Sequence, residues 1–171
     1  MAFNTASGQT IERELLIAYV NISTTAEPSW KPIGSRVEDS SMEYDFSLES
    51  TTDILGKVRN TMKKPVITQS FDPMPLDAGD EASAYIWNLA VKEQNYNALA
   101  AQDMLIVHCY DGTASTAMTA ERYSACAIAI TGLGGEGGGS IDMPFDVTYG
   151  GDRTLGTAAI SNGNVTFTAA A

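Results

Sequence analysis

Hydrophobic and polar residues alternate without a break over residues 41–50, SMEYDFSLES. The apolar set shares one parity and the polar set the other: Met42, Tyr44, Phe46 and Leu48 against Glu43, Asp45, Ser47 and Glu49. Because successive side chains of a strand point to opposite faces, this pattern predicts a half-buried strand. We expect its apolar side to face the core. Its exposed side would carry three carboxylates and a hydroxyl, with no lysine or arginine to pair with them.

Further segments show strand patterns rich in β-branched and aromatic residues. They are residues 15–22, 65–71, 104–110, 123–130 and 141–149. Residues 104–110 are apolar throughout, which is typical of a strand covered on both faces. Residues 141–149 alternate like the first strand and place Asp142 and Asp146 on the polar side. Near the end, Asn162 and Gly163 predict a two-residue hairpin turn.

One helix is predicted between these strands. Residues 77–81 supply capping and first-turn carboxylates, and apolar residues then recur at mostly helical spacing to about Ala101. Residues 30–34, WKPIG, are expected to break the regular secondary structure before the strand predicted over residues 41–50. The sum is a mainly antiparallel β fold of seven or eight strands with one flanking α-helix, in a single domain over residues 1–171.

The charge is unevenly distributed. The 171 residues carry a net charge of −11, which argues against binding nucleic acid by phosphate neutralisation. No apolar run is long enough for a membrane span, and residues 1–5 lack the pattern of a secretion signal. One basic cluster stands out, at Lys57, Arg59, Lys63 and Lys64. We expect it near the tip of a long hairpin around residues 50–65.

Candidate chemical groups each have a simpler structural explanation. Cys109 and Cys126 with the single His108 are too few ligands for zinc, and free thiols are favoured over a disulfide. His108 and Cys109 would point to opposite faces of one strand, so they cannot form a thiolate pair there. Asp77 and Asp80 are explained by a helix cap, without the spaced oxygens of a calcium loop.

The glycine-rich residues 132–139 do not predict a phosphate site. No lysine follows the glycines, no helix opens after them, and Glu136 would repel a phosphate. Glu43 and Asp45 are near neighbours, as paired catalytic carboxylates would be. However, the acids run in a row along a strand, which is more typical of a surface potential. We therefore predict no catalytic residue, no metal and no cofactor.

Several long stretches resemble the major tail, or tail tube, proteins of siphophages, which have long non-contractile tails. They are WKPIGSRVEDSSMEYDFSLESTTDILG, TMKKPVITQSFDPMPLDAGD, IWNLAVKEQNYNALA, MLIVHCY and TGLGGEGGGSIDMPFDVTYGGDRTLGTA, within about residues 30–160. The resemblance implies a β-sandwich or split barrel with one helix. It also implies hexameric rings that stack into a hollow tube in the virion tail, assembled in the host cytoplasm.

The resemblance also implies partners. These are other copies of the chain, the tape-measure protein and the tail-end proteins, while double-stranded DNA passes through without specific binding and no membrane is involved. Carboxylates on the inner wall would repel DNA phosphates over a Debye length of ~8 Å, whereas lysines would hold them. We therefore predict that Glu43, Asp45 and Glu49, or else Asp142 and Asp146, face the lumen. The alternative is that these acids lie on the outer wall and keep the particle soluble.

The basic cluster is predicted to contact the next ring, although a solvated turn would also explain it. Residues 132–139 and the termini are further candidates for segments that become ordered on assembly. Two other functions stay open. One is a tube subunit of a contractile injection or secretion machine, and the other is a β-sandwich carbohydrate-binding module of a phage adsorption device. The positions of Trp30 and Trp87, at a chain break and inside the helix, disfavour the second.

Overall fold

The computed structural model describes residues 3–170. Its strands are β1 Leu16–Asn21, β2 Trp30–Ile33, β3 Met42–Asp45, β4 Glu49–Thr52, β5 Val58–Thr61, β6 Val66–Phe71, β7 Gln102–Thr113, β8 Ala117–Ile130, β9 Phe145–Tyr149, β10 Arg153–Ser161 and β11 Asn164–Ala169. The helices are α1 Glu81–Trp87 and α2 Tyr96–Leu99, joined by a π-helical turn, Asn88–Lys92, and a 3-10 turn, Arg13–Leu15, precedes β1. All strand pairs in this range are antiparallel, which confirms the predicted class of a mainly antiparallel β fold with a flanking helix.

Six strands form a strongly curled sheet A, in the order β2-β1-β7-β8-β10-β11. The curl brings β11 against β2, so the sheet nearly closes into a barrel. Its interior is filled by Tyr19, Trp30, Leu105, Val107, Met118, Ala120, Ala158 and Val165. Leu105 and Val107 point into this interior, whereas Met104 and Ile106 pack outside it. The central strand β7 is therefore covered on both faces there, as its apolar sequence predicts.

Strand β8 belongs to two sheets because it bends near Ala125, which has a φ of +53°. Residues 117–126 pair with β7, whereas residues 127–130 pair with β9. Gly151 lies opposite the bend, and a Cβ there would come within 2.1 Å of the Ser124 carbonyl oxygen. The bend therefore requires glycine at this position.

The second sheet, sheet B, has four strands in the order β3-β6-β9-β8. A second core lies between sheet B, the outer side of sheet A and the helical segment. It includes Phe71, Phe145 and Val147 of sheet B together with Ile86 of α1 and Ile106 of β7. Among the described residues, no helix is long and apolar enough to cross a membrane.

The predicted helix is shorter and more broken than its spacing suggests. The Asp80 carboxylate accepts a hydrogen bond from the Ala82 amide at 3.1 Å, so α1 begins where the cap residues predict. Gln94 has a φ of +51° and interrupts the helical path. Asn95 then caps α2 by accepting a hydrogen bond from the Ala98 amide. The segment therefore consists of short, separately capped helical pieces, and the predicted continuous helix to Ala101 is not formed.

The predicted strand over residues 41–50 is wrong in its length and in the extent of its burial, although Met42 on its apolar side does pack against the core. Strand β3 ends at Asp45, whose carboxylate accepts a hydrogen bond from the Ser47 amide, and Ser47 has a φ of +45°. The expected core residues Tyr44, Phe46 and Leu48 are 48%, 39% and 64% exposed. The reason is that β3 is the outermost strand of sheet B, and no second layer within residues 3–170 covers its end.

Two smaller expectations also change. Trp30 does not lie at a chain break but begins β2, where it is buried inside sheet A. The strand count is higher than seven or eight because β2, β4 and β5 are short elements with weak patterns. The predicted hairpin turn is confirmed, since Asn162 and Gly163 have φ values of +50° and +78° between β10 and β11.

Candidate assembly surfaces

Three of the predicted lumen residues lie together on one exposed face of sheet B. Glu43 of β3 is opposite Thr68 of β6, and Asp146 of β9 is opposite Ser70. Asp45 shares the parity of Glu43 on the same strand. We call this surface the acidic face. Its remaining strand residues are Val66, Thr68, Ser70, Ala127, Ala129 and Thr148, so these strands place no lysine or arginine on it.

Packing fixes the orientation of the acidic face. The opposite parity of β6 and β9 carries Phe71, Phe145 and Val147, all of which are buried. Gln69, also buried on that side, donates to Ser40 Oγ and accepts from the Tyr149 hydroxyl. A slip of one residue would bury carboxylates and expose these side chains. The acidic face therefore points away from the rest of the chain.

Both outer edges of sheet B are open in the described part of the chain. Strand β3 pairs only with β6, and residues 127–130 of β8 pair only with β9. On its other side, β8 loses its partner β7 beyond the pair Gln102 and Cys126. Open edges carry unpaired amide and carbonyl groups, which favour addition of another strand.

The other two predicted lumen residues lie elsewhere. Glu49 belongs to β4, where its carboxylate accepts a hydrogen bond from Lys63 Nζ at 2.9 Å. Asp142 lies before β9, where its backbone bridges Gly134 and Pro75. The backbone turn at Ser47 ends the parity that would have aligned Glu49 with Glu43 and Asp45. The acidic face therefore does not include Glu49 or Asp142.

Strands β4 and β5 form a hairpin that projects from the end of sheet B. We use "the hairpin" for residues 46–65, which carry all four residues of the basic cluster. Arg59 lies 3.7 Å from Asp53 and Lys63 pairs with Glu49, whereas Lys57 and Lys64 form no ion pair within the described residues. At the tip, Ile54 and Leu55 are 102% and 88% exposed. Val58 and Met62 are also exposed, so the hairpin is both basic and apolar.

A polar network lies at the root of the hairpin, centred on Glu121 of β8. Glu121 Oε2 accepts hydrogen bonds from the Tyr123 hydroxyl at 2.6 Å and from Arg153 Nε at 2.5 Å. Glu121 Oε1 lies 2.8 Å from His108 Nε2, and His108 Nδ1 lies 2.7 Å from the Tyr110 hydroxyl. The network joins β7, β8 and β10 beside a groove of about 370 Å³ that Tyr44 and Phe46 also line.

Burial raises the pKa of Glu121, but hydrogen bonds from His108, Arg153 and Tyr123 outweigh it and lower the pKa to about 2. Burial and the bond to Glu121 raise the pKa of Tyr123 above its ordinary value. At neutral pH the network therefore places an ionised Glu121 carboxylate beside a neutral Tyr123. Nothing in the sequence pattern singled out Glu121. The only available signal was that His108 and Tyr110 share a strand face.

The thiols take no part in this network. Cys109 and Cys126 are free, and burial raises the pKa of Cys126 to about 11, which makes it unreactive. Over residues 3–170, no group of three or more His, Cys, Asp or Glu side chains is placed to hold a metal ion. Asp77, considered above as a calcium ligand, pairs with Arg36 at 2.9 Å.

No protein-family model matches the chain, and no curated protein gives a significant match. Three solved structures are similar in fold. A chain of the extended sheath–tube complex of PVC, an extracellular contractile injection system, has a TM-score of 0.49 at 10% identity, covering 88% of this chain and 94% of that one. The sheath/tube terminator of the same system gives 0.48 at 11% identity, covering 88% and 99%. The tube-terminating cap of the anti-feeding prophage gives 0.45 at 16% identity, covering 91% and 96%.

Proposed function

We propose that the chain is a structural subunit of a phage-type tail tube, specifically of a long non-contractile tail. Its copies would join into hexameric rings that stack into a hollow tube for DNA ejection. The observation that carries this proposal is sheet B, which has two open edges and an uncovered face of carboxylates. The sequence resemblance described above points in the same direction.

The strand order of sheet B suits ring closure. Each strand is antiparallel to its neighbour and there are four strands, so the two edge strands, β3 and residues 127–130 of β8, run in opposite directions. When copies are related by rotation about one axis, β3 of one copy then runs antiparallel to β8 of its neighbour. Closure into a barrel leaves no free edge, which removes the aggregation hazard of both edges.

The acidic face gives such a barrel its function. If that face lines the lumen, Glu43, Asp45 and Asp146 repeat around every ring and repel DNA phosphates within a Debye length of ~8 Å. The neighbouring side chains are small or hydroxylated and supply no cation that would bind the backbone. The tube would then not bind DNA non-specifically, so DNA could slide through it.

Electron microscopy of the purified protein over a range of concentrations tests the proposal. We expect rings or hollow tubes at high concentration. Hydrogen exchange on the same samples should show slower exchange of amides in residues 42–45 and 127–130 after assembly, with β10 and β11 unchanged. A protein that stays monomeric at every concentration, with fast exchange at both edges, would contradict the proposal.

A further inference from the structure

Two exposed segments lie at opposite ends of sheet B. Strand β6 leaves the hairpin at Val66 and reaches Phe71, which pairs with Phe145 of β9. Phe145 also pairs with Ile130, the last residue of β8. Residues 131–142, which we call the glycine loop, lie in the connection from β8 to β9, at the end of the sheet marked by Phe71, Ile130 and Phe145. The hairpin therefore extends from one end of the sheet and the glycine loop from the other.

The two segments have opposite charge. The hairpin carries four basic and two acidic side chains in a chain whose net charge is −11. The glycine loop carries Glu136 and Asp142 and no basic residue. Lys57 and Lys64 form no ion pair within the described residues, so both are available to an external carboxylate.

Both segments also expose large apolar side chains. Ile54 and Leu55 lie at the hairpin tip, and about half of the surface of Leu133 and Ile141 in the glycine loop is exposed. The base of the loop is anchored, because the Leu76 amide donates to the Ile141 carbonyl and the Met143 amide to the Met74 carbonyl, both at 2.8 Å. Ile141 is therefore presented from a fixed position, and residues 136–139 form a turn in which the Gly139 amide donates to the Glu136 carbonyl at 3.0 Å.

We propose that the hairpin of one copy docks on the glycine loop of another copy, in a head-to-tail contact. This inference rests on the proposed function and names the surface that receives the hairpin when rings stack. Ile54 and Leu55 pack on Leu133 and Ile141, and Lys57, beside the tip, faces Glu136 and Asp142. Since the two contact surfaces differ and lie at opposite ends, the contact is heterologous and extends a stack instead of closing a dimer.

Cross-linking tests the contact directly. A chain carrying both Leu55→Cys and Ile141→Cys, in a Cys109→Ala background, is treated with a flexible bis-maleimide. Since each copy then has one thiol at each end, a ladder of trimers and longer oligomers is expected. Leu55→Cys alone and Ile141→Cys alone can give only dimers. The matched double variant, Leu55→Cys with Thr154→Cys on β10, places the second thiol at an exposed site outside the contact.

A ladder specific to the Leu55/Ile141 pair supports the proposal, and its absence, or an equal ladder in the Thr154 control, overturns it. Electron microscopy of the same samples separates this result from the proposed function. Rings or tubes without the specific ladder overturn only the docking contact. A specific ladder without rings or tubes supports the contact and contradicts the ring-forming function.

A charge exchange gives an independent test. Lys57→Glu should reduce the ladder yield several-fold, and adding Glu136→Lys with Asp142→Lys should restore it. Lys92→Glu, at an exposed site on the helical segment, is the control and should leave the yield unchanged. If the hairpin variant lowers the yield and the loop changes fail to restore it, the pairing of these two surfaces is wrong.

Discussion

Sheet A and the region where β3 continues into the hairpin both contain large apolar residues but bury them to very different extents. Leu105 and Val107 of β7 are fully buried, whereas Leu48 and Ile54 beyond β3 are largely or wholly exposed. Sheet A curls on itself and covers its own interior. Strand β3 and the hairpin extend past the last layer of the chain. An alternating pattern therefore specifies a strand with one apolar and one polar face. It does not specify that the apolar face is buried by other residues of the same chain.

The exposed set is large for an isolated subunit. Tyr44 and Phe46 stack at a centroid distance of 6.3 Å beside the open edge of β3, and Leu48, Ile54 and Leu55 are exposed further along the hairpin. Clusters of exposed large apolar side chains are typical of interaction sites. The buried residues would then stabilise the subunit and the exposed residues would serve association. Substitutions in the two cores should therefore reduce stability, and substitutions in the exposed set should reduce only assembly.

The largest expected effect on stability is in the core between the sheets. Phe145→Ala removes a fully buried ring that stacks on Phe71 at a centroid distance of 5.1 Å. We expect a loss of ~3–5 kcal/mol in the free energy of unfolding, because the cavity would be closed in on all sides. Urea unfolding followed by circular dichroism measures it. A loss below about 1 kcal/mol would show that sheet B is loosely packed on this core.

The Glu121 network comes next. Glu121→Gln keeps the shape of the side chain but removes the charge that Arg153 and His108 face, so we expect a loss of ~1–3 kcal/mol near neutral pH. Urea unfolding at that pH measures it. The exposed pair of Lys63 and Glu49 offers a control, since Glu49→Gln should cost at most ~1 kcal/mol. Equal losses in the two variants would contradict the special role of the network.

The same carboxylate predicts a pH dependence. Its folded-state pKa of about 2 lies below the ordinary value of 4.5. The resulting stabilisation is therefore present above the ordinary value and is lost as the pH falls from there towards 2. Unfolding free energies across this range should decrease more steeply in the parent protein than in Glu121→Gln. Parallel curves would show that other carboxyls account for the acid sensitivity.

Smaller stability effects are expected in the exposed set. Ile54→Ser with Leu55→Ser should change the unfolding free energy by no more than about 0.5 kcal/mol, because both side chains already face solvent. Assembly should nevertheless be lost. Sedimentation velocity at high protein concentration measures it. Normal assembly by a variant of unchanged stability would mean that the hairpin tip does not contribute to association.

The smallest expected effect on the subunit is at the acidic face. Glu43→Lys with Asp45→Lys should alter stability by less than about 0.5 kcal/mol and leave tube formation intact, since both side chains are exposed. The altered tubes should then retain double-stranded DNA at low salt and release it as salt rises. The parent tubes should not retain it. Normal tubes with unchanged DNA ejection would place these residues outside the lumen.

Part of this molecule was predictable from local pattern. The strands β6, β7 and β9, the cap at Asp80 and the turn at Asn162 and Gly163 follow from residue spacing and side-chain chemistry that act over a few positions. The alternation also predicted that Glu43, Asp45 and Asp146 lie on the polar side of their strands. The lumen assignment itself stays a prediction, as does the contact of the basic cluster with the next ring. The termini were also predicted to become ordered on assembly, and residues 1, 2 and 171 of those termini lie outside the described residues.

Long-range packing decided the rest. The sequence alone determined which residues of a strand share a face, because the side-chain period of two is a local property of extended backbone. It could not determine which faces are covered, since that depends on which strands lie at the edge of a sheet. The tertiary structure left β3 outermost, bent β8 at Ala125 into sheet B, and brought His108, Glu121 and Arg153 together from three strands. These arrangements arise from contacts between residues far apart in the chain, which no local pattern records.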